Sequence, residues 1–104
     1  MKLMTKQLEK EFKKIGSQEH IKDPIIVAKF FNPTGIGTWY ATEYSPGTKV
    51  FFGYVSLFGD HNDEWGYFSL EELESVECQC GLGIERDLYF KEQPIGKIKP
   101  EAIY

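Results

Sequence analysis

Arginine is almost missing from this chain: Arg86 is the only one in 104 residues. Proteins that read DNA or RNA rely on arginine for bidentate contacts to phosphate and guanine, so the scarcity argues against direct nucleic-acid binding. Histidine and cysteine are scarce too, with two of each. His20 and His61 belong to no H-x-x-x-H or H-E-x-x-H pattern, which leaves no zinc-hydrolase arrangement. Cys78 and Cys80 form a C-x-C pair, too close for an easy disulfide and shorter than a C-x-x-C redox or zinc half-site, and read as free thiols. No apolar run approaches the ~20 residues that span a bilayer, and Met1 to Lys6 lead into charge instead of an apolar signal core. The expected location is cytoplasmic, with no membrane partner.

Positive charge is also missing locally. Residues 1–22 carry six Lys against three Glu, but from Val50 to Glu85 there is no Lys or Arg. Over that stretch Asp60, Asp63, Glu64, Glu71, Glu72, Glu74, Glu77 and Glu85 are all acidic, within a net charge of −4.

What the chain does have is bulk. Apolar residues make up 41% and aromatics 15%, enough for one packed core, and the length suits one domain but not two. The expectation is a single domain over 1–104, with its core at about 3–91 and a tail, 92–104, too aperiodic to assign.

Met4, Leu8, Phe12 and Ile15 recur at helical spacing. With Thr5 as N-cap, Gly16 just past the end and Lys13 and Lys14 in the last turn, they predict a helix over 5–15. Runs rich in β-branched and aromatic residues at 25–31, 37–44, 50–57 and 64–68, separated by Pro, Gly, Asn and Asp, predict four strands. Their links are shorter than the dozen or so residues a parallel crossover needs, so the sheet is expected to be an antiparallel meander. Asp87 to Phe90 suggests a short fifth strand. Ser69-Leu70-Glu71-Glu72 reads as a capping box, with Phe68 and Leu73 as a hydrophobic staple, and predicts a helix over 70–76 directly after the fourth strand. The fold class is therefore α+β: a four- or five-stranded antiparallel sheet, an N-terminal helix and a short helix after the fourth strand.

No catalytic constellation assembles from these residues. Asp60, Asn62, Glu64 and Glu71 fall at calcium-loop positions, but Trp65 stands where the sharp turn requires Gly and a strand follows where a helix should. Gly81-x-Gly83 lacks the third glycine and the strand-to-helix context of a phosphate loop. No metal and no cofactor are expected. The aromatic series Phe30, Phe31, Trp39, Tyr40, Phe51, Phe52, Tyr54, Trp65, Tyr67 and Phe68 reads as core, because a base-stacking platform also needs a basic groove.

Read in order, Thr38-Trp39-Tyr40-Ala41-Thr42-Glu43, Phe51-Phe52-Gly53-Tyr54-Val55, the run from Glu64 to Val76 and Ile84-Glu85-Arg86-Asp87-Leu88-Tyr89-Phe90 resemble a bacterial domain-of-unknown-function family of plasmids, phages and other mobile elements. The resemblance covers about Lys2 to Phe90. Small proteins similar to this family inhibit the type II-A RNA-guided nuclease as anti-CRISPR proteins. It implies a non-enzymatic protein that binds that nuclease or its guide RNA complex through an acidic surface. The residues expected to form that surface are Asp60, Asp63, Glu64, Glu71, Glu72, Glu74 and Glu77. The alternatives are an adaptor for another plasmid-encoded protein and a small enzyme using Arg86 with Glu85 or Asp87.

Overall fold

The computed structural model describes residues 2–57, 63–76 and 82–103. The first helix, α1 (Lys6–Ile15), begins where the sequence places it: the Thr5 hydroxyl accepts the Leu8 amide at 3.1 Å. Gly16 ends it at φ 73°, a backbone region that side chains disfavour, while its amide donates to the Phe12 carbonyl at 2.9 Å. Leu8 and Phe12 are buried, so the apolar stripe is the packed face.

Five strands form an antiparallel sheet. They are β2 (Ala28–Phe31), β3 (Thr38–Ser45), β4 (Val50–Ser56), β5 (Glu64–Ser69) and β6 (Glu85–Arg86), in the spatial order β5-β4-β3-β2-β6. The run predicted as one strand over 25–31 is divided. Ile25–Ile26, here β1, leaves the sheet to pair with β7 (Gln93–Pro94), and the chain re-enters at Val27, whose amide donates to the Ala41 carbonyl at 2.8 Å. The expected strand at Asp87 to Phe90 is a turn, closed by the Phe90 amide on the Asp87 carbonyl at 3.3 Å; the ladder is instead made by Glu85 and Arg86 opposite Phe31 and Phe30.

Helix α2 (Leu70–Ser75) leaves β5 without a linker. The Ser69 hydroxyl accepts the Glu72 amide at 2.9 Å, half of the predicted capping box; no return bond from Glu72 forms among the described residues. Phe68 and Leu73 are both buried in one cluster, as a staple requires.

The sheet has two covered faces. On the first, Phe30, Ala41, Phe51 and Phe68 meet Leu3, Met4, Leu8 and Phe12 from the N-terminal segment and Leu70 and Leu73 from α2. Phe51 is the centre: its ring lies 5.2 Å from those of Phe30 and Phe68 and 5.8 Å from Phe12, and burying such a side chain contributes about 1.5–3 kcal/mol. On the second face Ile26, Tyr40 and Tyr54 meet Ile95 and Ala102. The C-terminal residues left unassigned by periodicity are thus a structural layer: two short 3-10 turns, Ile95–Lys97 and Pro100–Ala102, form part of the second core.

Candidate functional site

The structure separates the acidic residues that the sequence groups together. Asp60 and Glu77, like His61, Cys78 and Cys80, lie outside the described residues. Asp63 belongs to the second face, where its carboxylate accepts the Ser56 hydroxyl at 2.8 Å. Burial first, and the charges of Asp63 and Glu101 second, hold the Tyr40 and Tyr54 phenols above the ordinary tyrosine range. Glu64 pairs across the strands with Val55, which packs on the first-face core, so its exposed side chain stands on the opposite face from Asp63. Glu71, Glu72 and Glu74 are together and exposed on α2, and β5 sets them about 17 Å from Glu64. Burial of Tyr44 first, then the charges of Glu9 and Glu74, push that phenol above the ordinary tyrosine range.

Of the acidic candidates among the described residues, only the three on α2 form a compact group. None is in an ion pair with Lys or Arg among the described residues, where the one such pair is Lys29 with Asp87 at 3.8 Å. Glu71 and Glu72 suit the first turn of a helix, but Glu74 lies in a last turn that holds no cation.

Arg86, Glu85 and Asp87 occupy the other edge of the sheet. Asp87 accepts the Tyr89 amide at 3.0 Å in addition to pairing with Lys29, and with Arg86, Leu8 and Phe90 it borders a cleft of about 130 Å³. Its carboxylate is thus engaged in holding a turn.

A feature that sequence reasoning passed over begins at Gln18. Its buried side-chain amide accepts the Ile25 amide at 2.6 Å and donates to the carbonyls of Ile25 and Thr42 at 2.8 and 2.9 Å, standing in for backbone partners between two strands. Thr42 is the extra residue of a β-bulge: Ala41 pairs with Gly53, but Glu43, not Thr42, pairs with Phe52. The Thr42 hydroxyl donates to the Phe52 carbonyl at 3.1 Å. Past the bulge the alternation is reversed, which sends Tyr44 into the first core against Phe51, 4.7 Å between ring centroids, and places Glu43 on the second face.

That placement creates a cross-strand row, Glu43, Phe52 and Tyr67, one side chain from each of β3, β4 and β5. The neighbouring row, Tyr40, Tyr54 and Trp65, packs in the second core with the C-terminal layer. The first row is open: Tyr67 is 77% exposed, and its ring meets that of Phe52 edge-on at 4.9 Å while Trp65 stacks on Phe52 at 5.7 Å and 12°. The three rings floor a cleft of about 330 Å³ whose rim carries Glu19 and Glu43 and no Lys or Arg. The aromatic series is therefore only partly core. Phe30, Tyr40, Phe51, Tyr54 and Phe68 are buried, whereas Phe52 and Trp65 are half-buried and Tyr67 is exposed.

Among the described residues no group of three or more His, Cys, Asp or Glu is arranged to hold a metal ion, and no helix is long and apolar enough to cross a membrane. Residues 2–97 match the family described as protein of unknown function (DUF2958), and the chain belongs to that family. No curated protein and no solved structure matches the chain.

Proposed function

We propose that this protein acts by binding, without catalysis, and that its partner is the type II-A RNA-guided DNA nuclease, which it inhibits. The observation that carries the reading is the exposed trio Glu71, Glu72 and Glu74 on α2, unpaired with any cation among the described residues. A carboxylate in the last turn opposes the helix dipole, and the charge of Glu74 adds to that of Glu9 in raising the Tyr44 phenol. Stability does not account for that charge. A partner with a basic surface does, and the nuclease holds its guide, target and displaced strand in basic channels. An acidic helix entering such a channel is steered there electrostatically. The resemblance of the sequence motifs to anti-CRISPR proteins supports the nuclease as partner, and the charge array supports an electrostatic means of binding it.

The test is a DNA-cleavage assay with purified type II-A nuclease, the protein being added either before or after guide RNA. Inhibition with co-elution of the two proteins is expected. Undiminished cleavage, with no complex in either order of addition, rejects the nuclease as partner.

A further inference from the structure

We infer that the cleft floored by Phe52, Trp65 and Tyr67 is a second binding site, and that it takes a cationic side chain, an arginine or lysine of a protein partner. The inference goes beyond the nuclease reading: the site is on the opposite face of the sheet from α2 and stands whether or not the nuclease is the partner.

Three observations meet in it. The first is coverage. The C-terminal layer packs over Tyr40 and Tyr54 through Ile95 and Ala102, and the Trp65 indole donates to the Ala102 carbonyl at 2.9 Å. Trp65 is thus fixed at the border between the covered row and the open one. The second is the floor. Phe52 and Tyr67 sit beside that border with their rings packed on one another, and Tyr67 is 77% exposed. An aromatic face attracts a guanidinium or ammonium placed over it, the more so when the cation is desolvated. The third is charge. Glu43 is next to Phe52 in the cross-strand register and lines the same cleft, and Glu19 lines it from the loop after α1.

The bulge is what links these. Regular pairing at Thr42 would put a threonine beside Phe52; the extra residue puts a carboxylate there instead. Rings below and carboxylates at the rim, with no lysine or arginine lining the cleft, suit a cation. The same lining is unsuited to a nucleic-acid strand, whose phosphates need positive partners. A volume of about 330 Å³ is enough for one long side chain and part of its backbone.

The experiment uses the full chain, labelled with ¹⁵N, and a short peptide of alternating Arg and Gly. The control is the same peptide with citrulline, which keeps the shape of arginine but not its charge. The arginine peptide is expected to shift the Trp65 indole N–H and Tyr67 resonances in a saturable way, and the citrulline peptide to bind about fivefold or more weakly. Glu43→Gln and Tyr67→Ala should each weaken binding to a similar degree while the melting temperature confirms folding; Glu19→Gln serves as a second variant if either fails to fold. Equal binding of the citrulline peptide, unchanged affinity in the Glu43→Gln variant, or shifts confined to α2 would overturn the inference. Loss of the cleft in this assay leaves nuclease inhibition intact if the two readings are independent, so their failures are separable.

Discussion

The indole N–H of Trp65 donates to the carbonyl of Ala102 at 2.9 Å, joining the edge strand of the sheet to the last turn of the described chain. This bond fixes the limit of the C-terminal layer: on one side Tyr40 and Tyr54 are buried, on the other Tyr67 faces solvent. A second tie acts at the start of the layer, where the Asp23 carboxylate accepts the Gly96 amide at 2.7 Å. Side chains therefore hold the segment onto the sheet at both ends.

If the C-terminal layer is a true part of the core, Ile95→Ala should destabilise the protein by about 2–5 kcal/mol, because Ile95 has no exposed surface and leaves a cavity against Ile26, Tyr40 and Tyr54. Urea unfolding measures it. A change below about 1 kcal/mol would mean the segment is detached in solution.

Gly53 lies opposite Ala41 in the ladder, and a Cβ added there would clash with the Tyr40 backbone carbonyl. Backbone cannot give way as a flexible side chain can. Gly53→Ala should therefore cost about 1–3 kcal/mol or more through forced strand separation. The same substitution at Gly66, which has open space, should lack this steric penalty, and a comparison of the two melting temperatures checks it.

Ser69→Ala should cost about 0.5–2 kcal/mol, since it removes the acceptor of the Glu72 amide at the start of α2. Because Glu72 makes no return bond among the described residues, Glu72→Ala should be nearly silent in the same urea titration. A loss with Glu72→Ala as large as that with Ser69→Ala would show that the full capping box forms in solution.

Glu92 titrates above the ordinary glutamate range, through desolvation first and then the neighbouring Glu11 carboxyl and its charge, partly offset by Lys14. An acid whose folded pKa is raised binds its proton more tightly in the folded state. Its contribution is thus fully present below the unfolded value and is lost as pH rises through the folded one. Glu11→Gln should raise the melting temperature at pH 7 and leave it little changed near pH 4. An equal rise at both pH values would exclude the carboxyl pair as the cause.

If the nuclease is the partner and α2 its contact, reversing Glu71, Glu72 and Glu74 to Lys together should slow association, reduce the salt dependence of binding and weaken inhibition. The three side chains are exposed, so the loss of stability should stay within about 1 kcal/mol. Full inhibition by the folded triple variant would remove α2 from the interface.

Whatever depends on near neighbours in the chain is legible in the residues alone. Thr5, Gly16 and the Met4, Leu8, Phe12, Ile15 stripe specify α1 because caps and helix faces are relations between residues three or four apart. Ser69 places the start of α2 for the same reason, and alternating aromatics bounded by turn residues mark β3, β4 and β5. Tertiary structure alone decided which face of the sheet each aromatic serves. That outcome rests on Gln18 bridging Ile25 and Thr42, on the bulge that reverses β3 at Thr42, and on Trp65 meeting Ala102. Each of these joins residues far apart in the chain or depends on strand register, and a bulge leaves no mark in local composition. The acidic run is dispersed for the same physical reason: successive strand residues point to opposite faces, so Asp63 and Glu64 are adjacent in sequence but separated by the sheet.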